Sequence, residues 1–175
     1  FAMEHAKQLA ATKDDPWLLG HFSDNEMPLY KKSLDNYLGL PKEDPGYHAA
    51  WTWLQQRKGD KADPKQLTDE DREGFREVVV ERYFVIVSKA IKAHDPNHLY
   101  LGCRFHSDEK NSEGAFRAAG KHADVISINH YHAWTPDFQQ LSNWAKWSGK
   151  PFMITEYYAK GMDSGMPNNS GAGWL

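Results

Sequence analysis

Apolar positions along the chain switch between two periods. Residues 2–12 repeat at helical spacing and end before the Asp15-Pro16 turn. Trp17 to Phe22 is a short apolar run bounded by turn residues, which predicts a buried strand. Helical spacing returns after Thr68, with Phe75, Val78, Val79, Tyr83, Ile86 and Ile91 on one stripe. Thr68 followed three residues on by Asp71 is an N-cap signature, and Asp95-Pro96 ends the helix. Residues 98–105, 124–131 and 151–158 read as further strands, and 113–123 and 136–149 as the helices between them.

Strict alternation of apolar strands with helices predicts an α/β domain built on a parallel sheet covered by helices. Two closures are open, a doubly wound sheet or a (β/α)8 TIM barrel. No Gly-rich phosphate fingerprint follows a strand, which weakens the dinucleotide-binding version. Polar groups instead gather where strands end: Asn25-Glu26, Arg104 and His106, Asn129 to His132, and Glu156. Barrel enzymes keep their chemistry at that face. Residues 27–67, with four prolines and three glycines, are too long for an ordinary connection and read as a functional loop carrying short helices at 29–38 and 47–56. The chain opens like the back half of a helix and closes in the loop "SGAGWL", so it is expected to be a fragment of one larger domain.

Composition narrows the function. Hydrophobic content of 40% and charged content of 26% fit a folded globular chain. A net charge of -3 favours neither nucleic acid nor an anionic membrane, and no apolar run reaches the ~20 residues that span a bilayer. The lone Cys103 permits no internal disulfide and no cysteine zinc cluster; its apolar setting predicts a small core residue. Aromatic residues make 13% of the chain. Tyr47, Trp51, Trp53, Trp134 and Trp144 fall in or near polar segments, a combination that suits sugars, which have an apolar face and many hydroxyls. Tyr47 and Trp51 also share a helix face, so plain helix packing stays open.

The candidate chemistry rests on Glu26 and Glu156, each closing a predicted strand. Two carboxylates across a pocket can cleave a glycosidic bond, one protonating the leaving oxygen and the other attacking the anomeric carbon or activating water. The acid needs a raised pKa and its partner must stay ionised. Asn25 could bond a sugar hydroxyl beside the reacting centre. Arg104 could hold a carboxylate ionised or form a structural ion pair. His130 and His132 share a strand face and could bind sugar, orient the nucleophile or, with His106, hold a metal; Tyr131 could donate to Glu156.

"GHFSDNE", "ISINHYH" and "PFMITEYYAKGMDSGMPNNSGAGW" resemble the retaining glycoside hydrolases of clan A, which are (β/α)8 barrels, and within them most of all the β-agarases of glycoside hydrolase family 50. The resemblance implies a partial barrel from strand four to strand seven, with strands one to three and eight outside the chain. It implies Glu26 as acid/base, Asn25 as its partner and Glu156 as nucleophile. No cofactor is expected, and from their positions and residue types Arg104, His106, His130, Tyr131, His132, Trp51 and Trp134 are expected to join Asn25 in meeting an oligo- or polysaccharide substrate. The expected activity is retaining cleavage of a β-galactosidic bond in a galactan such as agarose by a secreted or periplasmic protein. A β-galactosidase-like enzyme, a non-catalytic glycan-binding barrel and a metal-dependent hydrolase are the alternatives. Open sheet edges would be closed by more chain or by a second copy.

Overall fold

Every strand pairing among the described residues is parallel. The computed structural model describes residues 1–131, 135, 137–160, 163, 165 and 173–174. β1 (Gly20–His21) pairs with β2 (Leu99–Tyr100), β3 (Ile126–Tyr131) with β4 (Phe152–Lys160), and β4 with β5 (Gly173–Trp174). A bridge from Phe105 to Ile128 links the two groups of strands. The helices are α1 (Ala2–Ala6), α2 (Ser33–Leu38), α3 (Pro45–Lys58), α4 (Asp69–His94), α5 (Glu113–Gly120) and α6 (Phe138–Ser148). The alternation legible in the sequence is therefore present, as a mixed α/β arrangement.

Local chemistry sets the boundaries. Thr68 and Asp71 form a reciprocal capping box at the start of α4. Asp71 is buried, and Arg57 and Lys58 at the end of α3 pair with it, tying the two helices together. Asp44, Ser112 and Asp137 cap α3, α5 and α6. Gly149, at φ +62°, ends α6 in the left-handed conformation that glycine adopts without strain.

The core is a file of rings between the helices and the strands. Phe84 meets Phe105 edge-on, Phe105 meets Phe116 at 5.1 Å, Phe116 stacks on Trp144, and Trp144 meets Phe152 at 5.8 Å. Ring pairs at such separations add to plain burial. Trp144 is thus a fully buried core residue and not a sugar platform; its indole N–H donates to the Lys110 carbonyl at 2.8 Å. Cys103 packs in the same core, where burial, with Glu109 beside it, pushes its thiol pKa up.

Four sequence expectations change. The strand expected from Trp17 shrinks to Gly20–His21, because Asp15 Oδ1 takes the Trp17 N–H at 2.9 Å in a turn; Trp17 is 92% exposed. The stripe of α4 is rotated: Val78 and Ile86 face outward, while Arg76 is buried and bonded to Asp108 and Glu73. A charged residue inside the stripe is invisible to apolar periodicity. The short helices expected within residues 27–67 are present as α2 and α3, and they pack with Phe75 of α4 around a small core of Leu34, Ala50 and Phe75. Trp53 packs edge-on against Phe75, so it belongs to helix packing and not to a stacking wall. Finally, Gly173–Trp174 is a strand where a loop was expected.

The starts of β1 and β2 meet over a buried carboxylate. Gly20 lies against Leu99, where a Cβ would stand 2.3 Å from the carbonyl oxygen. Asp95 Oδ2 meets His21 Nε2 and His98 Nδ1, each at 2.7 Å, and Oδ1 takes the N–H groups of Asn97 and His98. The ligand atoms of His21, Asp95 and His98 lie within 4.8 Å of one another, as a metal site requires. Separations of 2.7 Å are hydrogen-bond lengths, however, and are shorter than the spacing between neighbouring ligands on zinc bonds of ~2.1 Å. His98 Nε2 also faces an acceptor, the Asp15 carbonyl at 2.9 Å. With acceptors at both nitrogens, His98 carries two protons.

The pH consequences have opposite signs. The Asp15 carbonyl and the Asp95 carboxylate raise the His98 pKa, so its stabilisation is full below about 6.5 and is lost as pH rises through the raised value. Burial opposes the charge on Asp95, but His21 and His98 hold its carboxyl down to about 2. Its stabilisation is present above about 3.9 and is lost as pH falls through about 2. Thermal melts across pH on the intact protein are expected to show the highest melting temperature between these limits. Asp95→Asn is expected to lower that maximum and to shrink the loss on the alkaline side, leaving the part that the Asp15 carbonyl contributes; an unchanged alkaline limb would contradict the part given to Asp95.

Candidate active site

The carboxyl ends of β1, β2, β3 and β4 bring one cluster together. Past β1, the Ser23 N–H donates to the Gly102 carbonyl and the Glu26 N–H to the Cys103 carbonyl, so the chain runs beside the end of β2. Ser23 Oγ lies 2.7 Å from the Tyr83 hydroxyl and 2.9 Å from that of Tyr100, and Tyr83 donates to Asp24. This buried hydroxyl group anchors the turn from behind. Glu26 and Arg104 have φ of +54° and +56°, a left-handed conformation costing about 1–2 kcal/mol for a residue with a Cβ. Strain of this kind collects at functional sites.

A β-bulge aims the second glutamate. Ile128 is paired with Ile154, but Asn129 is paired with Glu156, which leaves Thr155 as an extra residue in β4. In an unbroken strand, Glu156 would share the face of Phe152 and Ile154. Phe152 packs against Trp144, on the side of the helices. The extra residue turns Glu156 to the face that carries Asn129 and Tyr131.

On that face, two donors serve both carboxylates. Asn129 Nδ2 donates to Glu26 Oε1 at 2.8 Å and to Glu156 Oε2 at 2.9 Å. The Tyr131 hydroxyl lies 3.1 Å from Glu26 Oε1 and also bonds Glu156 Oε2. Arg104 Nη1 stands 3.4 Å from Glu156 Oε1 and 3.2 Å from Asn25 Oδ1, and its guanidinium covers the Phe22 ring at 4.5 Å. Asn129 is fully buried and both glutamates are partly buried.

The Asn129 amide lowers the Glu26 pKa most. Burial opposes it, and Tyr131, His106 and Arg104 lower it further. The free site therefore departs from the raised value expected of an acid. The reason is a pair of donors that favour the carboxylate, which strand-end position alone does not reveal. Burial, then the two glutamates, pushes the Tyr131 phenol pKa up, so it stays a donor.

The other predicted residues divide. Asn25, Arg104 and Tyr131 join the cluster. His106 Nδ1 faces Glu109 Oε1 at 3.2 Å, and its charge also acts on Glu26. His130 alternates to the opposite side of β3 from Asn129 and Tyr131; burial, then Lys110, lowers its pKa. Trp51 is half-buried on α3, outside the hydrogen-bonded group at the glutamates. His132 and Trp134 lie outside the described residues.

Three further residues matter to which the sequence reading gave no role in the site. Asn129 is the shared donor; its signal was a polar residue in an apolar strand, two positions before Tyr131 and so on the same face. Glu109 is buried and accepts the N–H groups of His106 and Ser107, shaping the loop after β2. Lys110 Nζ donates to the Asn129 carbonyl at 3.1 Å; burial lowers its pKa against the pull of Glu109 and Glu26.

No protein-family profile matches the chain. β-Agarase B of Vibrio sp. (strain JT0107) is 25% identical over 200 residues, covering 94% of this chain and 20% of that protein. The crystal structure of BpGH50 matches with a TM-score of 0.88 and 37% identity, over 98% of this chain and 39% of that one. An exo-β-agarase structure matches with a TM-score of 0.78 and 25% identity, over 94% of this chain and 26% of that one. The chain is therefore similar to glycoside hydrolase family 50 agarases, as its motifs led us to expect, and it spans well under half the length of each of these relatives.

Tyr131→Phe removes one donor from Glu26. NMR titration of the Glu26 carboxyl in the intact protein is expected to show its pKa rising toward the ordinary value of about 4.3. A fall, or no change, would contradict the donor role given to Tyr131.

Proposed function

We propose that these residues form the catalytic face of a retaining glycosidase that cleaves a β-galactosidic bond in a galactan such as agarose. The observation that carries this is the amide shared by Glu26 and Glu156. Each carboxylate lies within 2.9 Å of Asn129 Nδ2, so the bonded oxygens are less than about 6 Å apart. Double displacement uses carboxyl groups ~5–5.5 Å apart, whereas inversion needs ~6.5–9.5 Å to admit a water. The similarity to β-agarases supports the substrate class.

Glu156, paired with Arg104, attacks the anomeric carbon. Glu26 protonates the departing oxygen and then, ionised, draws the proton from the incoming water. The donors that lower the Glu26 pKa suit this second step. The first step needs a protonated Glu26. A polysaccharide packed against Glu26 strengthens the desolvation that already opposes its charge, and so favours protonation. Asn25 and Tyr131 belong to the hydrogen-bonded group at the glutamates, and His106 acts on Glu26, so these three are placed to meet substrate. His132 and Trp134 are the other substrate contacts proposed from the sequence, whereas Trp51 and His130 lie away from the glutamates.

Parallel strands with intervening helices support a partial (β/α)8 barrel, with β1 to β4 as strands four to seven and residues 27–67 as a loop beside the active site. The whole chain is part of one catalytic domain, completed by further strands.

Glu156→Gln in the intact protein is expected to lower kcat on agar oligosaccharides by at least about 10³-fold. Glu26→Gln is expected to lower it ~10²–10⁴-fold, and less on aryl galactosides whose leaving group needs no proton. Near-normal turnover by both variants sinks the assignment. Product stereochemistry read by NMR separates retention from inversion.

A further inference from the structure

The amide that links the two glutamates has its own support. Asn129 could be turned over with little change of shape, because its oxygen and nitrogen are nearly the same size. Turned over, it would set an oxygen against two carboxylates. Thr155 Oγ1 stands 3.2 Å from Asn129 Oδ1 and 3.4 Å from the Ile128 carbonyl oxygen. Both neighbours are acceptors, so the hydroxyl acts as donor there, and the shorter bond goes to Asn129. Thr155 is also the extra residue of the bulge that turns Glu156 inward. The residue that aims one carboxylate thus also holds the amide that bonds both.

We propose that Thr155 and Asn129 are positioning residues: the Thr155 hydroxyl fixes the orientation of the Asn129 amide, which holds Glu26 and Glu156 at their working separation. This rests on those glutamates being the catalytic pair. The Asn129 backbone strengthens the case. Its N–H donates to the Phe105 carbonyl at 2.8 Å and its carbonyl accepts from Lys110, so the residue is fixed at both ends. The amide orientation is the remaining freedom, and Thr155 is placed to remove it. Besides the neutral Asn129 amide, the charged or titratable groups that face Glu26 are Tyr131 from β3, Glu156 from β4, His106 and Arg104 from the end of β2, and Lys110 from the following loop.

The test uses Thr155→Val, which keeps the shape and removes the hydroxyl, and Thr155→Ser, which restores a donor. In the intact protein, the Val variant is expected to raise the Glu26 carboxyl titration by several tenths of a pH unit to about one unit. The alkaline limb of kcat/KM follows upward, because an acid works only while protonated. kcat is expected to fall roughly tenfold with KM little changed, as for a group that touches no substrate. Ser is expected to recover most of both. Asn129→Ala removes the donor itself and is expected to move Glu26 at least as far in the same direction, which covers the case of a Val variant that does not fold. A Glu26 titration unmoved by either variant overturns the proposal, as does a Ser variant no better than Val. The NMR titration needs no turnover. Active Glu26→Gln and Glu156→Gln proteins, together with a shifted titration in the Val variant, would therefore refute the catalytic assignment while leaving the Thr155–Asn129–Glu26 linkage standing.

Discussion

Two carboxylates that share one amide nitrogen repel each other, and much of the structure answers that repulsion. Charges at such a separation are held together only where donors and cations reach both. Asn129 and Tyr131 bond both glutamates, and Arg104 balances Glu156 from the side. None of the three could act from a mobile scaffold. Asn129 and Tyr131 are fixed on a fully paired strand, and Arg104 is held by its N–H on Ser127 Oγ and by the Phe22 ring.

That rigidity comes from behind the strands. The ring file from Phe84 to Phe152 packs α4, α5 and α6 against β3 and β4. Ser23, Tyr83 and Tyr100 secure the turn that presents Glu26. The left-handed backbone at Glu26 and Arg104 opposes these contacts by about 1–2 kcal/mol per residue, which the buried hydroxyl group and the core readily offset. At the far end of the strands, Asp95 with His21 and His98 closes the layer with a proton-sharing network.

Much of the architecture was legible because its signals are periodic and local. The capping box at Thr68 and the alternation of strands with helices follow from side-chain spacing. Glu26, Glu156, Tyr131 and Arg104 were legible because strand ends in such folds face one site. What stayed hidden depends on contacts between distant segments. Trp144 reads as a surface platform until Phe116 and Phe152 are seen against it. Arg76 reads as solvated until Asp108 is seen to meet it. The direction of the Glu26 pKa is set by Asn129, 103 positions away in sequence, and no local pattern carries that pairing.

The bulge at Thr155 also bears on how this strand is compared with others. Glu156 and Tyr157, which follow it, face the opposite way from a simple count of alternation, so β4 changes phase at this point. Sequences that differ by one residue here are not interchangeable by sliding. An alignment to a strand without the extra residue must open its gap beside Thr155. Placed elsewhere, the gap matches Glu156 to an outward-facing position, and two strands that present a carboxylate in the same way look unrelated at that residue.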